Sequence, residues 1–182
     1  VGSNGVVTFN NGIPPFHLSG GFCQWQYDTT IPNSNFDIKN AIYGVYQDTN
    51  RAPVPIGPVN NPATQNVNWY VTGTAPNRRF VANFSELPQF QCNFNVGTQT
   101  SQIVLYEGTN VIDVYVEKRT PCNTWNSGRG VIGLQNAQGT IAHVPPGRNT
   151  GAWTANQEAW RFIPNDALIT PTVTWLDGNG NV

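Results

Sequence analysis

Residues 101–116 read Ser101-Gln102-Ile103-Val104-Leu105-Tyr106-Glu107-Gly108-Thr109-Asn110-Val111-Ile112-Asp113-Val114-Tyr115-Val116. Two runs rich in β-branched and aromatic residues flank a Gly-Thr pair, the pattern of a β-hairpin. A two-residue loop at Gly108-Thr109 suits a type II′ turn, whose first position needs φ > 0. That loop sets Leu105 opposite Ile112, Ile103 opposite Val114 and Ser101 opposite Val116. Side chains alternate along a strand, so Ile103, Leu105, Ile112, Val114 and Val116 share one face. Gln102, Val104, Tyr106, Val111, Asp113 and Tyr115 share the other. One face suits a core and the other is half polar, as in an antiparallel sheet with a wet side. Extending the register outward brings Cys92 and Cys122 together, which predicts a disulfide between them.

The rest of the chain agrees with an all-β class. Its 182 residues suffice for one β-sandwich with a real core. Gly 18 and Pro 14, with frequent Asn and Thr, mark many turns and short strands. Trp 6, Tyr 6 and Phe 9 supply a core and argue against disorder. Strands are predicted at 6–9, 40–47, 66–72, 78–84, 101–106, 111–118, 130–135, 140–144 and 159–163. A Pro-rich loop spans 48–63, a length that is usually functional or mobile. Trp160 and Phe162 alternate with Arg161 on the last strand and belong to the core.

Only 10% of the residues are charged and the net charge is −1, which excludes nucleic-acid binding, since that needs a basic field. No apolar run approaches the roughly 20 residues of a membrane span. The chain holds no Met and opens on Val1-Gly2-Ser3-Asn4-Gly5, so it reads as a piece of a longer secreted polypeptide. Three cysteines leave Cys23 unpaired, either as a buried thiol or bonded to a cysteine upstream. No Cys-x-x-Cys is present and His17 and His143 are isolated, so a zinc site lacks support.

After Pro164 the texture changes. Residues 165–170 read as a linker, 172–176 as an alternating strand, and Asp177-Gly178-Asn179-Gly180 as a hairpin turn. This tail resembles the first strand of an immunoglobulin-like or PKD-like module. The predicted organisation is a sandwich over 1–166, missing its first strand or two, and the start of a following module over 167–182.

Several segments resemble the NIDO domain, the nidogen-type extracellular domain. They are Ser3-Asn4-Gly5-Val6-Val7-Thr8-Phe9, Ala41-Ile42-Tyr43-Gly44-Val45-Tyr46-Gln47-Asp48, Arg79-Phe80-Val81-Ala82-Asn83-Phe84 and residues 100–117. Further stretches are similar to a version found in very large surface proteins of the Bacteroidetes. These are Cys122-Asn123-Thr124-Trp125-Asn126, Gly133-Leu134-Gln135-Asn136, Pro146-Gly147-Arg148-Asn149 and Glu158-Ala159-Trp160-Arg161-Phe162. The resemblance spans residues 1 to about 166. It implies a jelly-roll-like antiparallel sandwich in a type IX-secreted adhesin, with gliding-motility character and further modules alongside. It offers no catalytic residues to carry over.

The candidate sites follow from residue chemistry. Trp125, Asn126 and Arg129 in one loop, with Arg148, Asn149 and Trp153 in another, could stack and hydrogen-bond a sugar or a protein. The competing reading is that the Trp rings plug the sandwich ends and Arg148 bonds loop carbonyls. Tyr106 and Tyr115 on the wet face are a second candidate surface. Asp48, with Asn50 or Asp37, is a weak calcium candidate against a carboxylate that merely holds the long loop. Asp177-Gly178-Asn179-Gly180-Asn181 lacks the spaced ligands of a calcium loop. Asp28-Thr29-Thr30 resembles a Bacteroidetes O-glycosylation site at Thr29. Asn83-Phe84-Ser85 is a sequon lying in a strand. Carboxylates could pair as a glycosidase acid and base, for example Asp113 with Glu117, but these read as Tyr-flanked surface residues and no nucleophile motif accompanies them. The expected function is a non-catalytic, cofactor-free module of a cell-surface adhesin that binds surface glycans or proteins. The alternative is a lectin-like module acting on polysaccharide.

Overall fold

The computed structural model describes residues 1–9, 30–36, 38–50 and 65–165. The described chain forms β1 (Val6–Thr8), β2 (Ala41–Tyr46), β3 (Asn66–Thr72), β4 (Arg79–Leu87), β5 (Gln99–Tyr106), β6 (Ile112–Arg119), β7 (Val131–Gln135), β8 (Ala142–His143) and β9 (Ala155–Phe162). Two antiparallel sheets result, ordered β1-β2-β7-β8 and β3-β4-β5-β6-β9. The all-β sandwich expected from the sequence is the fold.

The sheets meet through one apolar layer. Val7, Ile42, Val45 and Ile132 of the smaller sheet pack with Ala82, Phe84, Ile103, Val114 and Val116 of the larger. A register shift between Tyr43 and Tyr46 puts both Gly44 and Val45 on this side. Gly44 lies so close to the facing sheet that a Cβ there would stand 2.7 Å from the Ile103 side chain. Val6, Tyr43, Tyr46 and Val131 form a second cluster on the opposite face of the small sheet, covered by Ile31 and Phe36. The small sheet is therefore buried on both sides, which explains the unbroken apolar run Ala41-Ile42-Tyr43-Gly44-Val45-Tyr46.

The predicted hairpin keeps its register: Leu105 pairs with Ile112, Ile103 with Val114 and Ser101 with Val116. Its turn differs from the expectation. Gly108 has the positive φ, 79°, but Asn110 has one too, 53°. The Asn110 N–H donates to the Tyr106 carbonyl, and the Tyr106 N–H to that of Val111, both at 3.0 Å. The loop is thus the four residues 107–110, not a two-residue type II′ turn. The cause is Arg78. The Glu107 N–H donates to the Arg78 carbonyl at 2.9 Å, and the Glu107 carboxylate accepts from the Arg78 backbone and guanidinium. Glu107 is drawn toward the β3–β4 turn and away from Asn110.

Strand β9 begins at Ala155, four residues earlier than predicted. Gln157 adopts φ 52° and interrupts the alternation between the pairs Val116–Glu158 and Lys118–Asn156. A period-two reading loses the strand at that irregularity. Cys92 and Cys122 form a disulfide with their Cα atoms 5.8 Å apart, joining the β4–β5 connection to the segment after β6. Cys23, His17, Thr29, Asp37 and the tail from 166 onward lie outside the described residues.

Candidate binding face

The larger sheet has a covered face and an open one. On the open face the strand registers align side chains in rows. One row runs Asn68, Asn83, Gln102, Tyr115 and Ala159 across β3, β4, β5, β6 and β9. The next runs Tyr70, Val81, Val104, Asp113 and Arg161.

The first row is a chain of side-chain amides. Gln102 Nε2–H donates to Asn83 Oδ1 at 2.6 Å, and Asn83 Nδ2–H donates to Asn68 Oδ1 at 2.8 Å. Two register irregularities lie just beyond it, one in β4 between Phe84 and Leu87 and one in β6, where Glu117 is the extra residue between Val116 and Lys118. Glu86 takes φ 49° in the first, and its N–H donates to Thr100 Oγ1 at 3.1 Å. Bulges bend the strands that carry them. A hollow of about 310 Å³ opens here, lined by Asn83, Ser85, Thr100, Gln102, Tyr115 and Glu117. A second, of about 450 Å³, shares Ser85, Thr100 and Glu117 and continues past Glu86, Thr98 and Lys118. Together they make a polar trough along β4, β5 and β6. Of the candidates from the sequence, Tyr115 and Glu117 lie in it, with Asn83 of the sequon. Gln102 carries no motif and Asn83 only a sequon, because an amide in a strand becomes a site only through its neighbours on adjacent strands.

The second row is anchored by Asp113. Sequence reading places this residue at the surface beside Glu117, but it is 2% exposed. Its carboxylate accepts from Tyr106 Oη–H at 2.9 Å, Tyr115 Oη–H at 2.8 Å, and Arg161 Nε–H and Nη2–H at 2.7 and 2.8 Å. The correction has a plain cause: the larger side chains of Tyr106, Tyr115 and Arg161 fold over the shorter Asp113. The Arg161 bonds, reinforced by the tyrosines, hold its carboxyl down at about 2. The same bond to Asp113 pushes the Tyr115 phenol well above its ordinary range. Tyr106 and Tyr115 are thus joined through one carboxylate, and their rings are fixed by it.

The two candidate loops are internally engaged. Trp125 Nε1–H donates to Asp48 Oδ2 at 2.7 Å, and the Trp125 ring lies 5.0 Å from that of Phe90, tilted by 60°. Burial pushes the Asp48 carboxyl upward, partly offset by this bond. Among the described residues no group of three His, Cys, Asp or Glu side chains could hold a metal. Asn126 opens a 3-10 turn, Asn126–Gly128. Arg148 pairs with Glu158 at 2.7 and 2.5 Å and lies 4.7 Å over the Trp153 ring. Asn149 brackets Ile31, accepting from its N–H at 2.9 Å and donating to its carbonyl at 2.7 Å.

Sequence reading missed the residue that ties these loops together. Arg119 is 1% exposed and also stacks on the Trp153 ring, at 4.0 Å. It donates to Gln47 Oε1 at 2.7 Å, to the Gly128 carbonyl at 2.8 Å and to the Trp153 carbonyl. The clue is a strand-ending Arg followed by Thr-Pro-Cys. It says nothing of burial, because Arg is mostly exposed.

Fold and surface define the class: an antiparallel β-sandwich with one doubly buried sheet and one sheet open to solvent on its outer side. The chain matches the family described as NIDO related over residues 1–169, and it belongs to that family. The resemblance to the NIDO domain read from the sequence is thereby confirmed at the level of the family. NIDO-type domains are generally extracellular. No helix among the described residues is long and apolar enough to cross a membrane. Comparison with curated proteins and with solved structures found no match.

Proposed function

We propose that the chain is a non-catalytic module of a large secreted, cell-surface adhesin, and that it binds through the outer face of the five-stranded sheet. One observation carries this reading. The small sheet is covered on both sides, while the large sheet keeps an ordered polar face with a trough in it. Side chains pre-set by their own hydrogen bonds lose little freedom when a partner arrives. The loop candidates Trp125, Arg148 and Asn149 are committed to Asp48, Glu158 and Ile31.

The non-catalytic reading draws support from the carboxylates. Asp113 is held by Arg161, Glu107 by Arg78 and Glu158 by Arg148. A general acid needs a carboxyl poised near neutrality, whereas Asp113 and Glu107 sit at about 2. The partners are surface glycans or proteins, and neighbouring modules of the same polypeptide. No nucleic acid and no cofactor is involved.

The alternative, a lectin-like module acting on polysaccharide, is favoured by the amide row itself. The adhesin reading is tested by coating beads with the 182-residue chain and counting those retained on cells and on polymer surfaces. Retention that falls with Gln102→Ala and persists with Trp125→Ala supports the sheet face. Retention lost only with Trp125→Ala moves the site to the loops. No retention on any surface reduces the module to a spacer.

A further inference from the structure

We infer that the trough on β4, β5 and β6 is a binding site for a neutral, hydroxyl-rich saccharide chain, with Asn83 and Gln102 reading hydroxyls and the Tyr115 ring serving as a stacking platform. The inference rests on the reading of the outer sheet face as the binding surface and names its ligand.

The lining decides the chemistry. A carboxamide offers two N–H donors and two acceptor lone pairs on one plane. The amide row spends one N–H of Gln102 and one of Asn83 on its internal bonds. Donor and acceptor capacity remains along the row, side by side. Neighbouring sugar hydroxyls both donate and accept, so they complement such an array. Ser85 and Thr100 add hydroxyls two residues further along β4 and β5. Tyr115 is 37% exposed, and its phenol is tied to Asp113, so an oriented ring stands at the edge of the amides. Aromatic rings accept the C–H faces of a ligand while polar groups beside them fix its orientation.

Shape and charge exclude the competing ligands. The two hollows are contiguous and shallow and follow one another along β4, β5 and β6, which suits an extended chain lying along the strands. A peptide that binds a sheet by its backbone does so at an edge, and this trough lies on a face. The charged residues of the lining are Glu86, Glu117 and Lys118, and the chain carries a net charge of −1. Two carboxylates against one ammonium give no net attraction for a polyanion.

The test is titration of the whole chain with neutral hexasaccharides (cellohexaose, mannohexaose and chitohexaose), with polygalacturonate as an acidic control. Binding is read by calorimetry and reducing-end release by colorimetry. At least one neutral probe is expected to bind. Gln102→Ala and Tyr115→Ala should each weaken that binding by about tenfold or more, as loss of one well-made contact does. Tyr115→Phe keeps the ring and should weaken it less than about threefold, since the phenol spends its proton on Asp113. Trp125→Ala, outside the trough, should leave it unchanged. Melting temperatures identify any variant that is merely unfolded. Binding of the acidic probe alone overturns the inference, and so does neutral binding that ignores Gln102→Ala and Tyr115→Ala. Absence of all glycan binding also overturns it. If beads are still retained on cells through the same residues, the adhesin reading survives with a protein partner. Release of reducing ends would overturn the non-catalytic reading and leave the glycan site standing.

Discussion

Asp113 is buried and Asp48 half-buried, and their surroundings push them in opposite directions. Asp113 gains Arg161 and two phenols, and its carboxyl is held at about 2. A folded-state value below the unfolded one, near 3.9, means stabilisation that is complete above about pH 4 and lost as pH falls through about 2. Asp48 gains one indole N–H against a larger burial cost, and its carboxyl is raised. That deficit is absent in strong acid, begins as pH rises through the unfolded value and is complete above the folded one. Urea melts of Asp113→Asn and Asp48→Asn should therefore diverge. Asp113→Asn is expected to cost about 2 kcal/mol at pH 7, from lost charge-assisted hydrogen bonds, and less at pH 2. Asp48→Asn keeps an acceptor for Trp125 and should equal or exceed the parent at pH 7, with no advantage at pH 2. Equal pH dependence in the two variants would contradict both assignments. The sequence could not separate these residues, since neither strand position nor alternation reports which neighbours fold over a carboxylate.

At the scale of elements, pairing was legible and coverage was not. The β5–β6 register follows from the turn position together with alternation, and the structure repeats it from Leu105–Ile112 to Ser101–Val116. Alternation also places Trp69 and Val71 of β3 on the core side, opposite Ala82 and Phe80. Yet Trp69 is 61% exposed, stacked at 5.8 Å on Phe80, because β3 is an edge strand of the larger sheet. The Cys92–Cys122 bond is the other inter-element device. It closes a loop with a sequence separation of 30. On the chain-entropy model such a loop contributes about 3 kcal/mol, or on the order of 10 °C in Tm for a chain this long. Reduction should lower the melting temperature by about that much, since it frees the β4–β5 connection from the segment after β6. A melt that ignores reductant would show that hydrogen bonds such as Cys122 N–H to Gln89 Oε1, 3.0 Å, suffice to hold the two segments.

At the scale of the molecule, the described domain closes with β9 at Phe162, and the family match runs to residue 169. The change of texture after Pro164 sets the expected boundary at Asp166, with 167–182 as the start of another module. A chain ending at Asp166 should melt within about 2 °C of the 182-residue chain. A loss of several kcal/mol would make Thr172–Leu176 a strand of this sandwich.

Class, family, hairpin register and disulfide partners were determined by the sequence itself. Each depends on local periodicity, turn residues or strings of motifs, which the chain carries in one dimension. The burial of Asp113 and Arg119, the four-residue loop at 107–110 and the amide row of Asn68, Asn83 and Gln102 were decided by tertiary structure. Their partners stand on other strands or loops: Arg161 for Asp113, Gln47 and Trp153 for Arg119, Arg78 for Glu107. Such contacts depend on how far one strand slides past the next and on which side chain is long enough to cover its neighbour. No periodicity within a single segment encodes either quantity.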